Sequence, residues 1–234
     1  GITMKYIFII LFAYAVSTSQ VSAAVKYDIS LKLSPTTWSG SNEDAGGDFN
    51  SSTTQITLGF GIQNDRLYGR LSLRGGTFSF TDSAPAQEFK TARVLTPNVD
   101  IEHGETDLII GYYFWQQISV FADYKSFKNV WKNSDYEMSY SGLGVGVSGF
   151  HPLNQAWTFY GSVGFLFPYS IESNAGNIGD GNGSSLDLGF SYRWITHAQV
   201  SLGLKTQTQR LDFDNGNQQS HNRGELYVGI QYQF

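Results

Sequence analysis

The chain has 234 residues, a net charge of -5 and no cysteine. A disulfide framework is therefore excluded, and the mildly acidic balance without a basic cluster excludes nucleic acid as the partner. Charged residues make up only 15 % of the chain, against roughly 25 % in an ordinary soluble domain. The mean hydropathy is still -0.23, so the apolar residues must be interleaved with polar ones.

The first element is the continuous apolar run from Tyr6 to Val16, which follows Met4 and Lys5 and leads to Ser22, Ala23 and Ala24. It is too short for a spanning helix, which needs about 20 residues. A basic start, an apolar centre and a small-residue cleavage site predict a secretory signal peptide over residues 1–24, with 1–3 as an upstream remnant. Residues 25–234 then form the mature domain.

From there period-two alternation recurs ten times. The apolar parity carries Tyr27 to Leu33, Ile56 to Ile62, Leu67 to Leu73, Leu108 to Phe114, and Ile118 to Tyr124. The sixth run begins Tyr136, Met138, Tyr140 and changes parity to Leu143, Val145, Val147, which predicts a β-bulge near Ser141 and Gly142. Four more follow: Trp157 to Phe167, Leu186 to Trp194, Val200 to Leu204, and Leu226 to Phe234. Tight connections at 63–65, 115–117, 151–155 and 195–198 alternate with long polar ones at 34–53, 81–104, 126–135, 168–183 and 209–223. Short turns thus fall at one end of the strands and long loops at the other.

No charge lies on the apolar parity. The opposite parity carries Asp28, Lys32, Arg70, Arg74, Asp107, Asp123, Lys125, Glu137, Asp187, Arg193, Lys205 and Glu225. Contact with lipid imposes this exclusion, since a Lys or Arg facing mid-bilayer costs about 2–4 kcal/mol. Runs of about ten residues match the 9–11 that cross a bilayer at a tilt. Aromatics near the short turns (Tyr112, Phe114, Trp115, Phe150, Trp157, Tyr192, Trp194, Tyr232, Phe234) and near the long loops (Phe78, Phe80, Tyr124, Phe127, Trp131, Tyr136, Phe167, Tyr169) read as two interfacial girdles. The predicted fold is all-β: a ten-stranded antiparallel transmembrane up-and-down β-barrel, closed by pairing the last strand with the first.

The ending, Gly229 followed by Ile-Gln-Tyr-Gln-Phe with Tyr232 and Phe234 alternating, resembles the C-terminal signal of Gram-negative outer-membrane β-barrel proteins. That resemblance covers the whole mature chain. It implies residence in the bacterial outer membrane after export through the periplasm, recognition by the outer-membrane assembly machinery, and lipid and lipopolysaccharide as partners.

Within such a barrel the twelve charges would face the lumen. Six acids and six bases suggest ion pairs across a closed interior, since a selective pore would carry a ring of one sign. Seven inward glycines, among them Gly59, Gly111 and Gly203, either leave the lumen open or seat large neighbours such as Tyr113, Phe121 and Tyr160. Ten-stranded barrels include the omptin proteases, whose rim pairs Asp-Asp with Asp-His, but this chain has no Asp-x-His. Glu102-His103 and Ser220-His221 are loop adjacencies whose side chains diverge, and Asp212, Asp214 and the 174–183 loop lack the order of a calcium loop. No catalytic, cofactor or metal residues are assigned. The expected role is non-enzymatic, a structural and surface-interaction protein acting through long outer loops. A narrow porin-like channel is the alternative, and a surface hydrolase the remote one.

Overall fold

The computed structural model describes residues 25–43, 47–174 and 176–234. The predicted leader lies outside the described residues. The elements in chain order are β1 (Lys26–Asn42), β2 (Gly47–Asn64), β3 (Leu67–Phe80), β4 (Gln87–Glu88), β5 (Arg93–Val94), β6 (Val99–Tyr113), β7 (Ile118–Trp131), β8 (Glu137–Pro152), β9 (Trp157–Ser173), β10 (Gly176–Ile195), β11 (Ala198–Phe213) and β12 (Gln218–Gln233). β4 and β5 form a small hairpin inside one connection, and the other ten close into an antiparallel barrel in the order β1-β12-β11-β10-β9-β8-β7-β6-β3-β2. The seam pairs Ile29 with Tyr232, Leu31 with Ile230 and Leu33 with Val228. Beyond it the Phe234 amide donates to the Tyr27 carbonyl at 2.9 Å, so no strand edge is left unpaired along the seam.

The greasy parity points outward. Leu31, Leu58, Leu202, Val228 and Ile230 are about half exposed although they sit mid-strand. This is the inverse of a sandwich, whose apolar face turns inward. The outward face then changes chemistry at one level on every strand. Above Leu33, Ile56, Leu73, Leu108, Leu204 and Leu226 come Thr37, Thr54, Thr77, Thr106, Thr206 and Asn222, all on the same parity. The apolar belt marks the bilayer, and the hydroxyl-bearing wall beyond it stands in water.

That wall corrects the sequence reading in four respects. The barrel strands run from 14 to 20 residues, well past what the bilayer requires, so the cylinder projects roughly 20 Å above the belt at about 3.3 Å per residue and the usual tilt. Four of the five expected long loops are largely strand, leaving residues 81–98 as the one long connection on that side among the described residues. A register shift does fall across Ser141 and Gly142, between Tyr140 and Gly144 in the β8–β9 pairing, but the extra residue is on β9, where Phe167 and Pro168 are both exposed, and β8 keeps its parity. Proline cannot donate to the ladder and is suited to a bulge. Finally, of the proposed outer girdle, Phe78, Phe80, Phe127, Trp131, Tyr136 and Tyr169 are buried inside, with Met138 and Tyr140 beside them. Counting parity onward from Arg70, Arg74, Asp123 and Lys125 places these rings on the lumen side. Tyr124 and Phe167 remain outward, and near the short turns only Phe150 leaves the girdle, packing edge-on against Tyr113 with centroids 6.1 Å apart.

Candidate functional site

The lumen is built in layers, and its residues fall into place by strand parity. At the short-turn mouth is a cavity of about 750 Å³, lined among others by Asp28, Lys32, Arg70, Asp187 and Arg193. Arg70 stands 3.5 Å from Asp28. Asp187 accepts the Tyr227 hydroxyl at 2.6 Å, and Tyr227 also meets the Tyr160 hydroxyl at 2.8 Å. The Lys32 ammonium lies 4.2 Å above the Tyr227 ring, a cation-π contact. The inward glycines here are seats for rings. A Cβ on Gly111 would stand 2.1 Å from Tyr68, one on Gly189 2.6 Å from Tyr160 and one on Gly203 2.4 Å from Tyr227.

At mid-height the lumen is crossed by an ion-pair layer. Arg74 bridges Glu225 at 2.6 Å and Glu105 at 3.5 Å. Lys205 stands 3.8 and 4.0 Å from the same two acids. Lys125 holds Asp107 and, at 3.3 Å, Asp123. Long buried cations reach several acids from different strands, so the layer ties opposite walls together, although charge burial makes it weak support for net stability.

Of the twelve predicted lumen charges, Glu137 is misplaced. It lies on the outer wall beside exposed Lys128 at 2.7 Å, because Met138 and Tyr140 take the inward parity. Gly229 faces the lumen against Lys32 and Ser201, while Tyr232 and Phe234 face outward with centroids 5.1 Å apart. The three residues of the C-terminal pattern therefore do not form one surface.

Above the ion pairs is a layer that the sequence reading left in loops. Arg223 is buried and donates to His103 Nε2 at 2.7 Å, to the Tyr140 hydroxyl at 2.9 Å and to Gln209 Oε1 at 2.5 Å. Its guanidinium lies 5.3 Å from both the Trp38 and Phe127 rings. Arginine has no acceptor, so His103 accepts at Nε2 and donates from Nδ1 to Asn129 Oδ1 at 2.7 Å. Burial, with Arg223 adding to it, lowers the His103 pKa from 6.5 to about 3. His221 is likewise held well below its ordinary range by burial and then Arg223, and its Nε2 meets Gln219 Oε1 at 2.9 Å.

Over this sits an aromatic core. Trp38 makes edge contacts with Phe78 at 5.2 Å and Phe80 at 5.6 Å. The long connection folds down upon it: Ala84 to Glu88 are all buried. Asn42 receives the Ala86 amide and donates to the Ala84 carbonyl, both at 2.9 Å. The fully buried Glu88 carboxylate accepts from Arg93 at 2.6 Å, Asn215 at 2.8 Å and Gln219 at 3.0 Å. Charged hydrogen bonds of this kind are worth about 1.5–3 kcal/mol each. The outer end is capped by its own chain. Glu102-His103 and Ser220-His221 lie in strands, not loops: Glu102 is exposed and pairs with Lys132, Ser220 reaches Ser41 at 2.8 Å, and both histidines turn inward.

No protein-family model matches the sequence, and no curated protein matches it. Among solved structures the chain is similar to the outer membrane protease OmpT of Escherichia coli, with TM-score 0.62 and 13 % identity over 93 % of this chain and 99 % of that one. It is also similar to an outer membrane channel of Pseudomonas putida F1, with TM-score 0.49 and 11 % identity over 93 % and 98 %. Neisserial surface protein A matches with TM-score 0.38 and 8 % identity over 89 % and 97 %. The fold is that of bacterial outer-membrane β-barrels. With its lipid-facing belt, the chain is an outer-membrane protein.

Proposed function

We propose that this barrel is a non-enzymatic, non-conducting element of the outer-membrane surface. It is a stiff cylinder whose polar upper wall meets lipopolysaccharide and other surface molecules. One observation carries the reading: Ala84 to Glu88 close the lumen over a packed core in which Trp38, Phe78, Ile101 and Trp131 are fully buried. Interaction through five long loops is replaced by interaction through the projecting wall and the cap formed by residues 81–98. Exposed Lys128 and Arg210 on that wall, which also pair with Glu137 and Asp212, face the phosphate-bearing lipid heads, and the C-terminal rings are the part offered to the assembly machinery.

Planar-bilayer conductance of the purified protein tests the proposal. The expected record is flat, and it stays flat when residues 83–96 are replaced by a short Gly-Ser linker, because the core and ion pairs beneath the cap still fill the lumen. Steady single-channel openings by the intact protein would reject the sealed-lumen reading in favour of a narrow channel, for which the 750 Å³ cavity is the supporting observation. The likeness to a protease lends less to a hydrolase. His103 and His221 are buried, and their partners are Asn129, Arg223 and Gln219 rather than a carboxylate. Neither histidine is thereby poised toward an outer-surface substrate.

A further inference from the structure

The vestibule at the short-turn end is not a neutral remnant of the lumen. Four cations, Lys26, Lys32, Arg70 and Arg193, line it against two acids, Asp28 and Asp187. Both acids are engaged, Asp28 by Arg70 and Asp187 by the Tyr227 hydroxyl. Among the described residues no carboxylate stands within 4.0 Å of Lys32 or Arg193. The charges acting on Lys32 are mainly of its own sign: Arg70, Lys205 and Arg74, with Asp187 the one acid. The ion-pair layer above supplies four acids, Glu105, Asp107, Asp123 and Glu225, against Arg74, Lys125 and Lys205, so it offsets only one of the two surplus positive charges. A cavity with a surplus of one sign inside low-dielectric walls concentrates its field on what enters. Lysine with a ring beneath it and no acid beside it is a group left ready for an anion.

We infer that this vestibule binds a small anion bearing carboxylate or phosphate, entering from the periplasm. Lys32 and Arg193 take its charge, and the hydroxyls of Ser30, Ser191 and Ser201, which also line the cavity, take its polar substituents. Entry from the periplasmic side rests on the sealed outer end, but the binding itself does not depend on the conductance result.

Isothermal titration calorimetry of the full barrel in detergent provides the test, with citrate, inorganic phosphate and, as a neutral control, glucose. Saturable one-to-one binding of citrate or phosphate without glucose binding is expected, and which of the two binds tells carboxylate from phosphate preference. Lys32→Gln weakens that binding about tenfold or more, or about 1.4 kcal/mol. Lys132→Gln on the outer wall leaves it unchanged. Heat-modifiable gel mobility reports whether each variant is folded. Should Lys32→Gln fail to fold, exposed Arg193→Gln at the mouth carries the comparison and is expected to weaken binding severalfold. Absence of saturable binding by either anion, equal binding of glucose, or an equal loss in Lys132→Gln would overturn the assignment.

Discussion

Acid should loosen the projecting half of the barrel before the buried Glu105 is titrated. His103 lies above the lipid belt and is faced by Arg223 from β12, Asn129 from β7, Arg74 from β3 and Glu105 from its own strand, with Trp38 of β1 packed 5.6 Å from its ring. Burial first, and Arg223 second, hold its pKa at about 3 against 6.5 in the unfolded chain. A base whose folded pKa is depressed contributes stability that is fully present above the unfolded value and is lost as pH falls toward the folded one. At up to about 1.4 kcal/mol per pH unit, the loss between pH 6.5 and pH 4.5 is about 2 kcal/mol from His103 alone, with His221 adding in the same direction. Glu105, held below its ordinary 4.5 by Arg74 and Lys205 against the cost of burial, contributes its own loss only below that window. Urea unfolding in lipid vesicles, followed by tryptophan fluorescence at steps between these two pH values, measures the slope. His103→Gln keeps an acceptor toward Arg223 and a donor toward Asn129 but cannot titrate, so it should flatten the curve by the His103 share. Constant stability across the window, or an unchanged slope in His103→Gln, would refute a buried neutral histidine.

Three further outcomes follow from the same geometry. Trp38→Ala removes the centre of the aromatic core and should cost about 3–5 kcal/mol in the same unfolding assay; a loss under about 1 kcal/mol would mean that the outer lumen is not packed. Leu202→Arg, on the belt, should lower stability in bilayers by about 2–4 kcal/mol, whereas Thr208→Arg on the wall above should change it little. Glu88→Gln leaves Arg93 without its buried partner, so limited proteolysis within residues 81–98 should quicken severalfold while the barrel itself stays resistant.

The belt was legible in the sequence because lipid forbids charge on one parity, and a signal of period two survives over four outward positions per strand. The seam and the turn alternation followed from it. What escaped was the change of solvent along the strand. Past Thr37, Thr77 or Thr206 both faces are polar or mixed, since water lies outside and a protein core inside, so alternation fades and the segments read as loops. Nearness to strand ends gives Phe78, Phe127 and Trp131 the look of interfacial rings, although their parity matches Arg70 and Lys125. Glu137 reads as inward only when Met138 and Tyr140 are counted on the lipid parity. Arg223, His103 and Glu105 shared the parity of the lumen charges and could have been found by extending each strand at constant register. Glu88 could not, for its burial depends on a connection folding back, and no periodicity encodes that.

The central claim is that hydrocarbon surrounds the apolar belt while water surrounds the wall above it. Spin labels placed singly at outward positions 31, 58, 202 and 228 of the belt and at 37, 54, 77 and 206 of the wall, in reconstituted bilayers, measure this directly through collision with oxygen and with a polar nickel chelate. The account predicts oxygen-dominated relaxation at the first four sites and chelate-dominated relaxation at the second four. Chelate access at the belt sites equal to that on the wall would contradict it.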